Sequence, residues 1–489
     1  MADALWAVMD QSGVNVSDML IFLPSRRAVR TVEKMIAEKS GGVAILPTLV
    51  ALGEGVDEET DDDVAPDIIS NAERVAILTR LLAADASVGN LSNALTVAHD
   101  LVRMQDYMEN EGVDACDIDW AALVDDKYAA HFQSKAKILN VLSNFMDTYA
   151  NGRVTATAAR NRDIRAWCGK LDKYKLVIVC ASTASVPATA DLMEAIAKCS
   201  HGRIILSGKI DGRVVDFELD TNPYNSEYRF LSRLGVAPDD VQTIDVGASK
   251  MDFMNYAFGN DCTPRKIDRN LSNCHLITVP REAVEADVVA ELAGRAMSDN
   301  KSVLVITPDA AGNQRIAAAL RARGVVADFS GGVPATMTAP GRAILNLLDS
   351  WIEQKSGVFD KIYTENNCDL FNTIATIIDL YLPQFQPLFV IDDAAYVPIW
   401  VALRDMSNAI NIAGIKLTLA DARVFVADVL SGVSMRGVMN ESARVVVLGT
   451  IESRMQTADV VILTGLNEGM FPSRGYENAW LPRVTAEKI

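Results

Sequence analysis

The chain has 489 residues, with 46 Lys+Arg against 64 Asp+Glu and a formal net charge of -18. At roughly 100 to 200 residues per domain, this length corresponds to about three domains, or to two large domains with insertions. Hydrophobic residues make up 49% of the sequence and charged residues 22%. This composition provides a sizeable core and excludes a disordered, fibrous or collagen-like chain. The acidic balance excludes a free-standing basic DNA-coating protein, although it permits a basic groove on an acidic body.

Membrane, redox and metal signals are weak. No apolar run approaches the ~18 residues of a membrane-spanning helix, and residues 1–10 contain two aspartates and no basic residue, unlike a signal peptide. The seven cysteines are scattered without a C-x-x-C pair, which is typical of a reducing cytoplasm and predicts a cytoplasmic protein. The four histidines are equally isolated along the chain, so the sequence predicts no metal site.

Strand-then-helix units recur in chain order. The first has an apolar run at Met19–Leu23, Ser25 as a helix cap, a helix from Arg26 to about Lys39, and a second strand at 43–46. Strands alternating with helices imply parallel sheets with right-handed crossovers, the α/β class. The remaining strands are predicted at 176–181, 203–207, 303–307, 325–328, 444–448 and 460–464, with helices at 187–198 and 310–323.

Two long stretches between these units carry a helical pattern. The first opens with Ser70-Asn71-Ala72-Glu73, a capping-box signature, and the acidic tract 54–67 before it is predicted to be a solvated loop. We therefore predict two α/β domains, each interrupted by a helical insertion. The first domain comprises 1–69 and 171–274 with the insertion 70–170, and the second comprises 275–341 and 439–489 with the insertion 342–438.

The residues that a nucleotide site requires are missing from the sequence. A phosphate-binding loop needs glycines, a lysine and a Ser/Thr in the order G-x-x-x-x-G-K-[ST]. The nearest imitation, at 207–210, lacks the earlier glycine and the final hydroxyl, and the apolar run at 176–181 leads into 182–185 without a carboxylate. G-x-S-x-G, H-E-x-x-H and G-x-G-x-x-G are absent as well. The sequence therefore predicts no catalytic residue and no cofactor in this chain.

Hydroxyl and arginine side chains follow two of the predicted strands. Ligands of open α/β sheets bind at the carboxyl ends of the strands, so these side chains are candidates for contact with a phosphate backbone. The alternative is helix capping by the serines, with arginines that are simply solvated. The candidates are Ser25, Arg26, Arg27, Ser182, Thr183 and Ser185.

Residues 153–175 reverse the acidic balance of the chain. A local basic strip is a candidate for phosphate contact, and an ordinary charged surface helix is the alternative. The basic residues are Arg153, Arg160, Arg162, Arg165, Lys170, Lys173 and Lys175, against only Asp163 and Asp172.

Several sequence blocks together resemble a known family. Leu23-Pro24-Ser25-Arg26-Arg27-Ala28, followed by Ile45-Leu46-Pro47-Thr48-Leu49, resembles the opening of AddB proteins of the alphaproteobacterial type, the second subunits of AddAB helicase-nucleases. The likeness is spread over nearly the whole chain and is weakest over 354–438. Further similar blocks are Ala159-Arg160-Asn161, the segment 181–192, Asn222-Pro223-Tyr224, Ile451-Glu452-Ser453-Arg454 and Gly465-Leu466-Asn467-Glu468-Gly469-Met470-Phe471-Pro472.

The resemblance implies two RecA-like domains of the superfamily 1 helicase type, 1A and 2A, with helical insertions 1B and 2B. It implies a non-catalytic subunit that binds DNA ends or single-stranded DNA and scaffolds an AddA-like helicase-nuclease subunit during double-strand break resection. Arg26 and Arg27 would then match a DNA-facing motif, and Ser182 and Thr183 the region of lost metal-binding carboxylates. Arg454, Asn467 and Glu468 would belong to family motifs.

Compared with that family, the chain begins at the helix that would follow a phosphate-binding loop and stops before the last helicase motif and the nuclease domain. We therefore expect no nuclease chemistry from these residues. Two other functions stay open from the sequence: a two-domain nucleotide-sugar transferase, and a purely structural subunit that binds only its protein partner.

Overall fold

A computed structural model describes residues 1–52, 66–85, 88–114, 118, 138–143, 145–206, 222, 224–244, 273–382, 397–435 and 443–471. The chain divides into two compact units. One consists of Met1–Val64, Ala159–Glu285 and Gly449–Val461, and the other of Ala65–Ala158, Ala286–Leu448 and Ile462–Ile489. Over the described ranges, no helix combines the length and the apolar character needed to span a bilayer.

The helices and strands confirm a mixed α/β protein with two four-stranded parallel sheets. In chain order they are α1 (Ala2–Ser12), β1 (Met19–Leu23), α2 (Arg26–Lys39), β2 (Thr48–Ala51), α3 (Asn71–Ala83), α4 (Leu91–Glu111), α5 (Phe145–Tyr149), α6 (Ala156–Ala166), β3 (Leu176–Cys180), α7 (Pro187–Lys198), β4 (Gly202–Ile205), α8 (Asn225–Leu234), α9 (Glu282–Ser298), β5 (Val303–Ile306), α10 (Ala310–Ala322), β6 (Ala327–Phe329), β7 (Val333–Pro334), α11 (Ala339–Glu353), α12 (Val358–Glu365), α13 (Leu370–Tyr381), α14 (Val397–Ala413), α15 (Leu419–Gly432), β8 (Ser434–Met435), β9 (Val445–Leu448) and β10 (Val460–Leu463).

The first unit contains a sheet with the strand order β2-β1-β3-β4. Strand β1 is parallel to both of its neighbours and pairs with β3 from Met19↔Leu176 to Phe22↔Val179. Every residue of β1 and of β3 is buried. A continuous apolar run is expected for a strand that is covered on both faces, and the two runs predicted from the sequence are confirmed as these central strands.

Alternate residues of β1 enter two different cores, because successive side chains of a strand point to opposite faces. Ile21 packs in one core with Val32 and the rest of the apolar stripe of α2. Phe22 packs in the other core with Leu192 of α7. The helices α2 and α7 therefore belong to different cores, which is the doubly wound arrangement of an open α/β sheet.

The prediction of a strand at 43–46 in this sheet is wrong. Residues 43–46 are not a strand, and Val43 and Ile45 are 89% and 74% exposed. The strand β2 begins only at Thr48, directly after Pro47, and its Val50 is buried beside Phe22. Proline has no N–H to donate to the ladder, so a strand can start after it but does not readily include it.

The second sheet has the strand order β10-β5-β9-β6, and its strands β5, β6 and β9 belong to the second unit. The predicted start of α10 is confirmed, because the Asp309 carboxylate accepts a hydrogen bond of 2.6 Å from the Gly312 N–H. The predicted end is confirmed at Gly324, whose φ of 70° is in the left-handed region that glycine tolerates. Strand β6 begins two residues later than predicted, since the N–H of Val325 bonds back to the Leu320 carbonyl at the helix end.

The two helical stretches of the second unit, 71–111 and 339–432, share one continuous hydrophobic core. The two stretches are also joined by a polar contact, in which His99 Nε2 of α4 lies 2.9 Å from Asp428 Oδ2 of α15. Ser70 caps α3 as predicted, with its hydroxyl accepting from the Glu73 N–H at 3.1 Å. The Glu73 carboxylate binds the Arg153 guanidinium at 2.6 and 2.7 Å, so it forms an ion pair.

A buried arginine connects α3 to α4 in this core. The Arg74 side chain is 1% exposed, and its Nη1 donates to Asp106 Oδ1 at 2.8 Å. Its Nη2 donates to Gln105 Oε1 at 2.9 Å and to the Val102 carbonyl at 3.4 Å. A buried charge is tolerated only when such partners compensate its desolvation.

We expect Arg74→Met to lower the free energy of unfolding by about 3 kcal/mol, because it leaves Asp106 and Gln105 without their cation. The matched control is Arg80→Met, which removes an exposed arginine from the same helix and should change stability by less than about 0.5 kcal/mol. Urea unfolding followed by circular dichroism measures both. Equal losses from the two substitutions would show that the buried network does not stabilise the unit.

Candidate nucleic-acid interface

The strands of the first sheet are all parallel, but the side on which the next strand is added changes between β1 and β3. From β1 the chain passes through α2 to β2 on one side, and from β3 it passes through α7 to β4 on the other side. Ligands of open α/β sheets bind outside the carboxyl ends of the strands at such a switch point. Residues 24–27 follow β1 and residues 181–186 follow β3, so the two predicted segments flank this position on neighbouring strands.

The segment after β1 combines a helix cap with two arginines. The buried Ser25 hydroxyl accepts a hydrogen bond of 3.2 Å from the Ala28 N–H, so the capping alternative is confirmed for this serine. Arg26 and Arg27 are the first two residues of α2, the former exposed and the latter half-buried. Positive side chains are unfavourable at the N-terminal, positive end of a helix dipole. An anion bound at this helix end would interact favourably with both the dipole and the arginines.

The segment after β3 has strained backbone. Ala181 and Ala184 have φ angles of 60° and 52°, a conformation that costs an L-residue roughly 1–2 kcal/mol. Strain of this kind persists where the surrounding structure fixes it, and it clusters at functional sites. One of the fixing contacts is the hydrogen bond of 3.1 Å from the Ala181 N–H to the Ile205 carbonyl on β4.

The hydroxyl groups of this segment do not cap the following helix. Helix α7 begins at Pro187 with Val186 as its N-cap residue, whose side chain has no acceptor. The capping alternative is therefore wrong for Ser182, which is 9% exposed. Thr183 Oγ1 and Ser185 Oγ lie 3.3 Å apart, so hydroxyl donors are concentrated at the carboxyl edge of the sheet, where they can bind phosphate oxygens.

A third segment of the same unit lies against α2. Gln456 Nε2 donates to Thr31 Oγ1 at 2.9 Å, and the Thr31 hydroxyl donates to the Arg27 carbonyl at 3.0 Å. Met455 packs into the core beneath α2. The exposed Arg454 precedes these two residues. The fold thus brings the segment of Arg454 beside the helix of Arg26 and Arg27, which sequence spacing alone does not indicate.

Asn467 and Glu468 belong to the second unit, where they follow β10, and both are exposed. The Asn467 N–H donates to the Gly465 carbonyl at 2.7 Å. Gly465 has a φ of 66°, and a Cβ at this position would lie 2.9 Å from Pro308 Cγ, so the turn requires glycine. This turn gives the two residues a fixed position after β10, next to the end of β5.

The basic strip of residues 153–175 is largely paired with carboxylates. Lys175 Nζ lies 2.7 Å from Asp18, and Arg162 lies 3.4 Å from Asp163. Arg165 binds Asp191 at 2.8 Å. Burial acts to raise the pKa of Asp191, but the hydrogen bonds from Arg165 and Arg233 outweigh it and lower the pKa.

Two more arginines belong to the strip, and one of them is also paired with a carboxylate. Arg160 is half-buried on α6, and the Arg153 guanidinium is held by Glu73 in the second unit. A phosphate that reached the paired arginines would have to displace protein carboxylates from them.

One set of potential metal ligands was missed by sequence reasoning. Asp172, Cys199 and His201 each offer a ligand atom, and these atoms lie within 4.8 Å of one another. His201 is isolated along the chain but not in the fold, because the pairing of β3 with β4 brings the turns before these strands together. The spacing Cys-x-His at 199–201 was the one available signal in the sequence.

No known family model matches this chain, and no curated protein is found to be similar to it. The likeness to AddB proteins therefore depends on the motifs themselves. Two residues of the motifs, Pro223 and Pro472, lie outside the described residues. The same is true of the imitation of a phosphate-binding loop at 207–210 and of most of the acidic tract 54–67.

Because the backbone after β3 is strained, we expect an alanine-to-glycine substitution there to differ in its effect on stability from the same substitution in a regular helix. Ala184→Gly should leave the free energy of unfolding unchanged or raise it by up to about 1 kcal/mol, because glycine adopts a positive φ without strain. Ala195→Gly, in the interior of α7, should lower it by about 1 kcal/mol. Denaturant titrations of the two variants measure the difference. Equal destabilisation by both would contradict the left-handed conformation at Ala184.

Proposed function

We propose that this chain is a non-catalytic, helicase-like subunit of a complex that resects DNA double-strand breaks for recombinational repair. In this proposal it binds single-stranded or tailed DNA through the phosphate backbone and scaffolds an AddA-like motor subunit in the cytoplasm. The observation that carries the proposal is the strand-order reversal between β1 and β3, which has arginines on one flank and hydroxyls on the other.

The architecture supports a helicase-like origin. The chain forms two four-stranded parallel sheets, and long helical stretches interrupt it between the strands. Two RecA-like domains, 1A and 2A, with helical insertions 1B and 2B would have this element order. Of the family blocks noted in the sequence, the segment of Arg454 lies beside α2, and Asn467 and Glu468 follow β10.

The chemistry of the first unit favours binding over hydrolysis. The sequence has no phosphate-binding loop motif, and residues 182–185 after β3 contain no carboxylate for a metal ion. Arginine guanidinium groups and serine or threonine hydroxyls are the side chains that typically bind phosphate oxygens. Side chains that bind phosphate oxygens contact the DNA backbone and not the bases. We therefore propose DNA binding that is salt-sensitive and largely independent of DNA sequence.

The acidic average of the chain limits how tightly it binds DNA alone. A net charge of -18 opposes the approach of a polyanion, so the local cationic helix end of α2 must act against the field of the whole chain. We propose that tight binding requires a channel shared with the motor subunit, which would supply further cationic groups.

We expect the double substitution Arg26→Ala and Arg27→Ala to weaken binding of labelled single-stranded DNA. Each phosphate contact that is lost should lower the dependence of log K on log salt concentration by about 0.7, which gives about 1.4 for two contacts. Fluorescence anisotropy over a series of salt concentrations, with the chain alone and with the motor subunit, measures this slope.

The matched control is Arg321→Ala with Arg323→Ala, which removes the same charge from the exposed end of α10. It should leave the salt slope unchanged. An equal change of the salt slope in the two double variants would show that DNA binding depends only on the net charge of the chain. Thermal stabilisation by a nucleotide sugar, without any by DNA, would favour a transferase. A complete lack of DNA binding in the assembled complex would favour a purely structural subunit.

A further inference from the structure

Three side chains of different chemistry meet at the amino ends of β3 and β4 in the first unit. The Asp172 carboxylate is exposed, whereas the Cys199 thiol and the His201 imidazole are half-buried, and one ligand atom of each lies within 4.8 Å of the other two. The candidate DNA-contacting segments follow the carboxyl ends of β1 and β3. The trio therefore occupies the opposite edge of the sheet and is not used by the proposed function.

Backbone hydrogen bonds hold these residues in two short turns. The Gly202 N–H donates to the Cys199 carbonyl at 3.0 Å, and the Val177 N–H donates to the His201 carbonyl at 3.0 Å. Asp172 lies in the 3₁₀ turn Leu171–Lys173, which the bond of 3.1 Å from the Tyr174 N–H to the Leu171 carbonyl closes. The ligand atoms therefore project from backbone that is already fixed in position.

Only glycine fits directly after His201. A Cβ at Gly202 would lie 1.8 Å from the carbonyl oxygen of Ile196, near the end of α7. This close approach fixes the turn between α7 and β4, and with it the separation of the thiol and the imidazole. Pre-organised ligands lose less conformational entropy when they bind an ion than flexible ones do.

One nitrogen of the His201 imidazole contacts a backbone carbonyl. His201 Nε2 lies 3.3 Å from the Leu171 carbonyl oxygen. A neutral ring that donates from Nε2 to this carbonyl keeps the lone pair of Nδ1 for an ion. Metal-bound histidines commonly donate their second ring nitrogen to a carbonyl or carboxylate in this way, which fixes the tautomer.

We propose that Asp172, Cys199 and His201 bind Zn²⁺. A thiolate, an imidazole nitrogen and a carboxylate oxygen are the donor types of zinc sites, whereas Mg²⁺ and Ca²⁺ prefer oxygen ligands alone. Water supplies the fourth position of the tetrahedron. Binding releases the Cys199 thiol proton to solvent, so the affinity rises with pH. The ion links the turn before β3 to the turn before β4 and stabilises the amino edge of the sheet.

Cobalt binding to the full chain tests this site directly. After removal of metal by a chelator, Co²⁺ should produce a thiolate-to-metal charge-transfer band together with the visible bands of tetrahedral cobalt, and one equivalent of Zn²⁺ should remove both. Cys199→Ser should abolish the charge-transfer band and weaken Zn²⁺ binding at least tenfold, and His201→Ala should weaken it by at least the same factor. Zn²⁺ should raise the melting temperature of the unsubstituted chain.

The matched controls are Cys274→Ser and His275→Ala, which remove an exposed cysteine and an exposed histidine that are neighbours in sequence. Both should keep the cobalt spectrum and the zinc affinity. The proposal is overturned if the unsubstituted chain gives no thiolate band with Co²⁺. It is overturned equally if Cys199→Ser, shown to be folded by circular dichroism, retains the band.

Discussion

Strand β3 follows a long helical stretch in the chain and hydrogen-bonds to β1, not to β2, and this parallel pairing determines where both candidate sites lie. At the carboxyl edge it places the segment after β3 next to the start of α2. At the amino edge, the further pairing with β4 brings Asp172 to Cys199 and His201. Burial of both central strands on two faces stabilises the pairing, since each strand contributes to two cores.

The local charge around a residue in this protein depends on its ion pairs more than on the average composition of the chain. The net charge of -18 conceals cations that are neutralised locally, such as Arg74 by Asp106 and Arg153 by Glu73. Such pairs are costly to break, because each leaves an uncompensated charge in a poorly hydrated place. In the first turn of α2, two arginines lie at the positive end of the helix dipole, where a bound anion would interact favourably with the dipole and with the guanidinium groups.

The sequence predicts well those features that depend on local periodicity. The bounds of β1, α2 and α7 are confirmed, because a buried run or an apolar stripe with a cap or a proline at its start determines each of them. The strand expected at 43–46 is wrong because apolar composition does not reveal which residues a neighbour covers. The pairing of Glu73 with Arg153 and the meeting of Asp172 with His201 depend on long-range topology, which no local pattern encodes.

The central claim is that DNA binds at the strand-order reversal of the first sheet. Site-specific photo-crosslinking tests it most directly, with a photoreactive amino acid in place of Thr183 and, as a control, in place of the exposed Val326 of the second unit. The claim predicts that single-stranded DNA crosslinks at position 183 and not at 326, and that unlabelled DNA competes. Crosslinking at 326 alone, or at neither position in a complex that binds DNA, would contradict it.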